Sequence, residues 1–171
     1  MKDENVFEAV DKYGADLYRF CMHLCKDKDA ADELYQDTFL KLISQNLTLD
    51  EARNIKSFLF SIAVWIFKNN QKKAARRNKI APAYLTDDLE YISSGSDIQS
   101  DTIEKIRKQT LLQLIDKLND KYRYPIILFY AMDMSIFQIA SILKCSPNTV
   151  KSRLFRAKAQ LKKEMEAKGF E

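Results

Sequence analysis

The sequence predicts an all-α protein of two small helical domains joined by a flexible linker, and three observations carry this prediction. Glycine and proline occur only three times each in 171 residues, too few for the turns of a many-stranded sandwich or barrel. Apolar residues recur at helical spacing through most of the chain. Residues 81–103 interrupt that spacing with five acidic residues, no lysine or arginine and a run of serine, glycine and aspartate. We therefore expect domains at 1–80 and 104–171.

The first domain is expected to contain three helices. The first ends near Cys25, and its apolar stripe comprises Val6, Val10, Leu17, Phe20, Cys21 and Leu24. The second starts at a cap at or beside Asp29, and its stripe comprises Ala30, Leu34, Phe39, Leu42 and Ile43. The third runs from about Ile55 to about Arg77. Core packing explains its apolar first half, including each single ring of Phe58, Phe60 and Trp65, but not its second half, KNNQKKAARRNK.

The second domain is expected to end in a helix-turn-helix. Two helices precede it: one has the stripe Leu111, Leu114, Ile115 and Leu118, and the other spans residues 122–131 with Pro125 near its first turn. Ser135 then caps a short helix over residues 136–143, and a tight turn follows at Lys144 and Cys145. Ser146 followed by Pro147 is an N-cap with proline at the first helical position, and it begins a longer helix through about Leu161.

This last helix has the pattern of a DNA recognition helix. Its buried stripe is expected to be Val150, Leu154, Ala157 and Leu161. The opposite face is polar where the helix begins and apolar further on, at Phe155 and Ala159. We expect contacts to base edges and phosphates in a major groove from Ser146, Asn148, Thr149, Lys151, Ser152, Arg153 and Arg156. An ordinary helical bundle is the alternative, which the outward-facing Phe155 favours.

Charge is distributed unevenly along the chain. Residues 53–79 hold eight basic and no acidic side chains, and residues 144–163 hold seven and none. Two such blocks predict contact with a polyanion at two places, although solvated helix faces would also explain them. Residues 27–51 hold seven acids against two bases. That acidic segment would repel DNA and indicates a basic protein partner.

Several other classes of protein are disfavoured. The most apolar stretch, residues 58–67, is too short to cross a bilayer. Three cysteines cannot form a disulfide scaffold, so we expect a reduced, cytoplasmic protein. A single histidine and three glycines leave no catalytic triad and no phosphate-binding loop. We therefore expect no catalytic residues, no cofactor and no metal, since Cys21, His23 and Cys25 do not supply four ligands.

Taken together, these segments resemble the extracytoplasmic-function (ECF) sigma factors of bacterial RNA polymerase, the smallest relatives of the sigma-70 family. Residues 138–163, with the core TVKSRLFRAK, are similar to the region 4 helix-turn-helix that binds the minus-thirty-five promoter element. Residues 27–42 are similar to the region 2 helix that docks on the clamp helices of the largest polymerase subunit. Residues 56–79 are similar to the segment that opens and reads the minus-ten element.

The resemblance implies a bacterial promoter-specificity subunit that binds core RNA polymerase, at the clamp helices and at the flap of the second-largest subunit, and promoter DNA. An anti-sigma factor is a further implied partner. Docking on polymerase is expected from Asp29, Asp32, Glu33, Leu34, Gln36, Asp37 and Phe39, with core packing an equally good explanation for Leu34 and Phe39. Minus-ten contacts are expected from Trp65, Lys68, Asn69, Asn70, Lys72, Lys73, Arg76 and Arg77.

The sequence departs from the family pattern at one place and leaves two alternative functions open. Many family members have an arginine-asparagine pair after the isoleucine-alanine of this helix, whereas here Ile62 and Ala63 are followed by Val64 and Trp65. A stand-alone helix-turn-helix regulator that binds DNA as a dimer would not need the acidic helix. A protein-interaction module would bind DNA without sequence preference and would not bind polymerase.

Overall fold

The described part of the chain is helical, as the sequence predicts. The computed structural model describes residues 3–44, 54–80 and 102–170, with side chains in the first helix from residue 7 onward. Within these ranges there is no strand, and the elements are α1 (Asp3–Cys25), α2 (Lys28–Ser44), α3 (Ile55–Ile80), α4 (Thr102–Lys117), α5 (Asp120–Ile126), a π turn (Ile127–Ala131), α6 (Ile136–Leu143) and α7 (Pro147–Ala167). Most of the predicted linker, residues 81–101, lies outside the described residues.

Helices α1, α2 and α3 pack together around an apolar core. The rings of Phe20 and Phe60 lie 4.9 Å apart between their centroids, and both side chains are fully buried. In α1 the stripe is confirmed from Leu17 onward, but Val10 is exposed and Ala9 is buried instead. The described side chains therefore shift the beginning of the α1 stripe by one residue.

The buried side of α2 differs from the prediction. Its buried residues are Ala31, Leu34, Thr38, Phe39 and Leu42, while Ala30 is half-buried and Ile43 is exposed. Thr38 is tolerated in the core because its hydroxyl donates to the carbonyl of Leu34 at 2.7 Å. A polar residue thus completes the stripe, which a pattern of apolar residues alone could not reveal.

The junction between α1 and α2 is a tight turn. Lys26 has a left-handed backbone with φ of 61°, and its N–H donates to the carbonyl of Met22. The side chain of Asp27 accepts from the N–H of Ala30 at 2.9 Å. Asp27 therefore caps α2, and the cap expected near Asp29 was placed too late.

The segment predicted as one helix over residues 122–131 consists of α5 followed by the π turn. Asn119 caps α5 by accepting from the N–H of Lys121, so the helix starts earlier than expected. Pro125 consequently lies in the second turn, where it has no N–H to donate to the carbonyl four residues back. The N–H of Met132 then donates to Ile127, five residues back, which closes the wider turn.

The helix-turn-helix of α6 and α7 is confirmed. Ser135 and Gln138 form a reciprocal capping box at the start of α6, and Lys144 ends this helix with a left-handed φ of 53°. Ser146 caps α7, and Pro147 is its first residue. All four residues of the predicted stripe are buried, and Met165 extends it, so α7 continues to Ala167.

The two halves of the chain share one apolar core. Buried residues from α1 to α3 and from α4 to α7 belong to a single continuous cluster. Helix α3 packs against α6, and α1 packs against the π turn. The sequence predicts two domains, but it does not predict this contact between them.

Candidate nucleic-acid interface and docking surface

The exposed start of α7 forms the first candidate surface, which we call the recognition face. Asn148, Lys151 and Ser152 are exposed there, and Thr149 and Arg153 are half-buried. The Ser146 hydroxyl accepts from the N–H of Thr149 at 3.1 Å and shares a 2.8 Å hydrogen bond with the Thr149 hydroxyl. Capping α7 is thus an observed role of Ser146, and it fixes where the face begins.

Two side chains of the recognition face, those of Ser152 and Arg156, lie close to other polar groups. The Ser152 hydroxyl donates back to the carbonyls of Asn148 and Thr149, at 3.0 and 3.2 Å, which leaves its oxygen to accept. The guanidinium of Arg156 lies near the Tyr122 hydroxyl of α5 and lowers the pKa of Tyr122. Arg156 thus has a polar neighbour on a second helix, and its own side chain is exposed.

An aromatic ring continues the recognition face. Phe155 is 75% exposed, although it lies on a helix whose neighbouring Leu154 is 7% exposed. At about 100° per residue it shares the side of α7 that carries Asn148 and Ser152. From the sequence, an outward-facing Phe155 favours packing in a helical bundle. Its exposure instead makes it an additional DNA-facing candidate.

The second candidate surface is a groove between α2 and α3, here called the α2–α3 groove. It has a volume of about 780 Å³ and is lined by Asp37, Leu40, Lys41, Ser44, Trp65, Ile66, Asn69, Asn70, Lys72, Lys73 and Arg76. Six of the eight residues expected at the minus-ten element therefore line one groove. Its lysines and arginine give it a basic wall suited to a polyanion.

Trp65 is the aromatic residue of this groove. Its side chain is 53% exposed, whereas Phe60 is fully buried and Phe58 is half-buried. Core packing, the explanation favoured for each ring alone, is thus wrong for Trp65 and right for Phe60. The ammonium of Lys41 lies 5.5 Å from the centroid of the Trp65 ring, so a cation and an exposed ring meet at the groove wall.

Other basic residues of the 53–79 block lie outside the groove. Lys68 does not line the α2–α3 groove, and its ammonium lies 5.2 Å from the centroid of the Tyr124 ring in α5. Arg77 is exposed outside the groove. Lys56 forms a 2.9 Å ion pair with Asp16 of α1, which holds the pKa of that carboxyl below its usual value. Lys56 therefore joins two helices of the core bundle.

The acidic side of α2, here called the acidic face, is the third candidate surface. Asp29, Glu33 and Gln36 are exposed on it. Leu34 and Phe39 are only 2% and 8% exposed, so they pack in the core. Their burial supports the core-packing explanation for both residues, and their part in docking on polymerase remains a prediction.

The two remaining acids of α2 are half-buried and have different neighbours. Asp32 lines a hollow of about 370 Å³ with Gly14, Ala15, Tyr18, Tyr35 and Gln36. Its carboxylate lies near the Tyr18 hydroxyl and raises the pKa of Tyr18. Asp37 instead lines the α2–α3 groove. The acidic face therefore centres on Asp29 and Glu33.

The two cysteines of α1 differ in burial, since Cys21 is fully buried and Cys25 is half-buried. Burial raises the pKa of Cys21 to about 12 and that of Cys25 to about 11, so both are protonated thiols at neutral pH. In the described ranges no group of three or more His, Cys, Asp or Glu side chains is placed to hold a metal ion. Nor does any helix of those ranges have the length and apolar character needed to cross a membrane.

Comparisons with known proteins match both halves of the chain. Residues 9–79 match the family model for Sigma-70 region 2, and residues 108–161 match that for Sigma-70, region 4. The region 2 match contains the acidic face and the α2–α3 groove. The region 4 match contains α6 and the recognition face of α7.

Similar proteins cover nearly the whole chain. The ECF RNA polymerase sigma factor SigM of Bacillus subtilis (strain 168) is 29% identical over 155 residues, which are 91% of each chain. The RNA polymerase sigma factor SigV of the same organism is 30% identical, over 87% of this chain and 84% of the relative. The sigma factor RpoE from Bartonella quintana, solved in complex with the anti-sigma factor NepR, superposes with a TM-score of 0.77 at 25% identity over 97% of this chain and 98% of that one. The chain therefore belongs to the sigma-70 family and is an ECF RNA polymerase sigma factor.

Proposed function

We propose that this sigma factor divides its work among three surfaces: the recognition face, the α2–α3 groove and the acidic face. The observation that carries the proposal is the groove, where an exposed tryptophan lies among lysines and asparagines on the helix next to the acidic face. Aromatic rings beside cations suit single-stranded DNA, because bases stack on the rings while the cations hold the phosphates. The groove therefore suits an unpaired strand of the minus-ten element.

For the minus-ten element we propose that Trp65 stacks on an unpaired base. Asn69 and Asn70 lie along the same groove and can donate to and accept from base edges, and Lys72, Lys73 and Arg76 can hold the strand backbone. The departure at Val64 and Trp65 fits this arrangement. The polar groups that many relatives have at that point occur one turn later here, beside an exposed ring.

For the minus-thirty-five element we propose that α7 enters the major groove with its N-terminal end. Asn148 and Lys151 are exposed at the first turn and suit base edges. Arg153 and Arg156 flank them and suit phosphates, and Arg156 lies near the Tyr122 hydroxyl of α5. Phe155, one turn further along, suits the methyl group of a thymine or the adjoining sugar, both of which are apolar.

For polymerase docking we propose that Asp29 and Glu33 lead the contact with the clamp helices of the largest subunit. Both carboxylates are exposed on one side of α2, and Gln36 extends that side. An acidic surface cannot approach DNA closely, so a basic protein surface is its natural partner. The flap of the second-largest subunit is proposed to meet the second domain.

The chain itself supplies no chemistry in this proposal. Polymerase carries the catalytic residues, and the sigma factor contributes promoter choice and strand separation in the cytoplasm of a bacterium. The solved complex of RpoE with NepR supports the further proposal that an anti-sigma factor can bind this chain. We retain the domain limits 1–80 and 104–171, which enclose the two family matches.

The direct test is co-elution with bacterial core RNA polymerase in gel filtration. We expect the wild-type chain to co-elute and an Asp29→Lys/Glu33→Lys variant to lose co-elution, because it reverses the charge of the acidic face. A matched control is Glu8→Lys/Asp11→Lys, which reverses two exposed carboxylates of α1. Loss of binding in the control as well, or sequence-specific DNA binding by a wild-type chain that does not co-elute, would refute the proposed docking surface.

A further inference from the structure

Lys121 and Tyr122, near the start of α5, lie beside the recognition helix. Helix α5 packs against α7, and the half-buried ring of Tyr122 packs against the apolar core. The side chain of Lys121 is exposed, and its ammonium lies 4.9 Å from the centroid of the Tyr122 ring. Neither residue is among those predicted from the sequence to bind DNA.

A second cation approaches the same tyrosine from α7. The guanidinium of Arg156 lies near the Tyr122 hydroxyl, and Arg156 together with Lys121 lowers the pKa of Tyr122. At about 100° per residue, Arg156 is only about 40° around the axis of α7 from Ser152, so it borders the recognition face. Two exposed cations on two helices therefore meet one tyrosine at the edge of that face.

The positive charge of this cluster is not cancelled by the neighbouring acid. Asp120 precedes Lys121, but its carboxylate accepts from the Tyr124 hydroxyl at 2.9 Å and lies 3.9 Å from the guanidinium of Arg123. That acid is therefore paired within α5. Residues 144–163, which include Arg156, contain no acid at all. The edge of the recognition face is thus positive on both helices, as a contact to a polyanion requires.

The position of the cluster suits the phosphate backbone rather than the bases. When a recognition helix enters a major groove, its tip meets base edges and its flanks face the phosphates on either side. Arg156 lies on such a flank, and Lys121 lies on the helix next to it. Phosphate contacts from two helices fix the orientation of α7 in the groove, which contacts from α7 alone would fix less well.

We propose that α5 adds a phosphate contact to the minus-thirty-five site, made by Lys121, and that Tyr122 is the positioning residue that aligns Lys121 and Arg156 along one DNA strand. The inference rests on the proposed insertion of α7 into the major groove. The Tyr122 ring supports the ammonium of Lys121, and its hydroxyl faces the guanidinium of Arg156. Because that ring packs against the core, both cations are held by a rigid part of the domain.

The test measures promoter binding by holoenzymes assembled with wild type or Lys121→Gln over a range of salt concentrations. Loss of one phosphate contact reduces the slope of log affinity against log salt by about 0.9, so the deficit of Lys121→Gln should shrink about 3.5-fold between about 50 and 200 mM salt. The matched control, Lys168→Gln, removes the same charge about 18 Å further along α7 from Arg156 and should keep the wild-type slope. An unchanged slope in Lys121→Gln would overturn the contact.

A double-mutant cycle tests the positioning role of Tyr122. Tyr122→Phe keeps the ring beside Lys121 and removes the hydroxyl that faces Arg156. We expect it to lower promoter affinity about two- to tenfold, the usual range for one hydrogen bond, and to have no effect in an Arg156→Ala background. An equal loss in both backgrounds would mean that the hydroxyl only supports the fold, and it would overturn the positioning role.

The salt dependence of Arg156→Ala separates this inference from the proposed function. If Arg156→Ala reduces the slope and Lys121→Gln does not, the proposed docking of α7 stands and the contact from α5 fails. If neither variant reduces the slope, the proposed contact of α7 with phosphates fails as well. A reduced slope in both variants supports a row of phosphate contacts from two helices.

Discussion

The ammonium of Lys41 lies 5.5 Å from the centroid of the Trp65 ring, across the α2–α3 groove. One residue comes from the helix that carries the acidic face and the other from the helix that carries the residues proposed to bind the minus-ten element. The pair places a positive charge beside an exposed ring at the entrance to a basic groove. It is the arrangement through which the proposed minus-ten contact can be tested most directly.

Replacing Trp65 with alanine should weaken binding of the minus-ten strand by roughly 5- to 150-fold, the loss of one stacked base at about 1–3 kcal/mol. Stability should change little, because the ring is 53% exposed. Trp65→Phe is the matched control and should keep most of the affinity. Trp65 is also the chain's single tryptophan, so single-stranded DNA should quench the intrinsic fluorescence. Unquenched fluorescence at saturating DNA would contradict base stacking at this ring.

Alanine substitutions at Asn148 and Arg156 should weaken promoter binding in different ways. Asn148→Ala should cost about 1–3 kcal/mol on the preferred minus-thirty-five sequence and much less on others, because it removes a base contact. Arg156→Ala should weaken all sequences alike and reduce the salt dependence of binding by about one phosphate contact. Holoenzyme binding to a set of single-base promoter variants, measured at several salt concentrations, distinguishes the two. The reverse pattern would exchange their roles.

Alanine substitutions at the adjacent residues Leu154 and Phe155 of α7 should affect different properties, the first the stability of the fold and the second the affinity for the promoter. Phe155→Ala should lower promoter affinity while changing the free energy of unfolding by no more than about 0.5 kcal/mol, since the ring is 75% exposed. Leu154→Ala should cost about 2–5 kcal/mol of stability, because that side chain is buried. Urea denaturation and promoter binding measure the two effects. A large stability loss from Phe155→Ala would show that the ring packs on a neighbour after all.

Stability should fall above about pH 9 because of the buried thiol of Cys21. Its pKa is raised from 9.0 to about 12 in the folded chain, so the folded state holds the proton that the unfolded state releases. The stabilisation is fully present below the unfolded pKa and is lost progressively as the pH rises toward 12. Urea titrations at pH 7 to 11 should show a shallower decline for Cys21→Ala than for Cys145→Ala. Parallel declines would mean that Cys21 does not contribute.

Gly14 and Tyr35 should be energetically coupled. A Cβ atom at residue 14 would come within 2.8 Å of the Tyr35 hydroxyl, so Gly14→Ala should not bring its usual gain in a helix. In a Tyr35→Phe background the same change should stabilise by about 0.5–1 kcal/mol, because the obstructing oxygen is gone. Thermal unfolding of the four proteins in a double-mutant cycle measures the coupling. An additive cycle would contradict the close approach.

Local signals allowed the helix-turn-helix to be predicted almost to the residue. Ser135 with Gln138, and Ser146 with Pro147, are caps whose partners lie within three positions, so the sequence alone specifies them. The prediction of the α2 cap was wrong, although this cap is equally local. Several aspartates near the start of α2 are possible caps, and only the folded structure shows that Asp27 is the one that accepts from the helix. The family resemblance rested on the same segments and was confirmed by the comparisons.

The spacing of apolar residues could not predict features that depend on contacts between distant parts of the chain. Trp65 lies among core residues of α3 and is nevertheless exposed, because its side chain lines the α2–α3 groove. Arginine is usually a surface residue, but Arg123 is buried. The backbone carbonyls to which it donates lie 99 and 100 positions earlier in the chain. Both positions depend on the packing of whole helices, which no window of the sequence contains.

The single apolar core that runs through both halves has a consequence for cooperativity. Domains of about 80 and 70 residues are close to the size at which a core alone gives only marginal stability. With their cores merged, the two halves should melt together in a single thermal transition when the protein is alone.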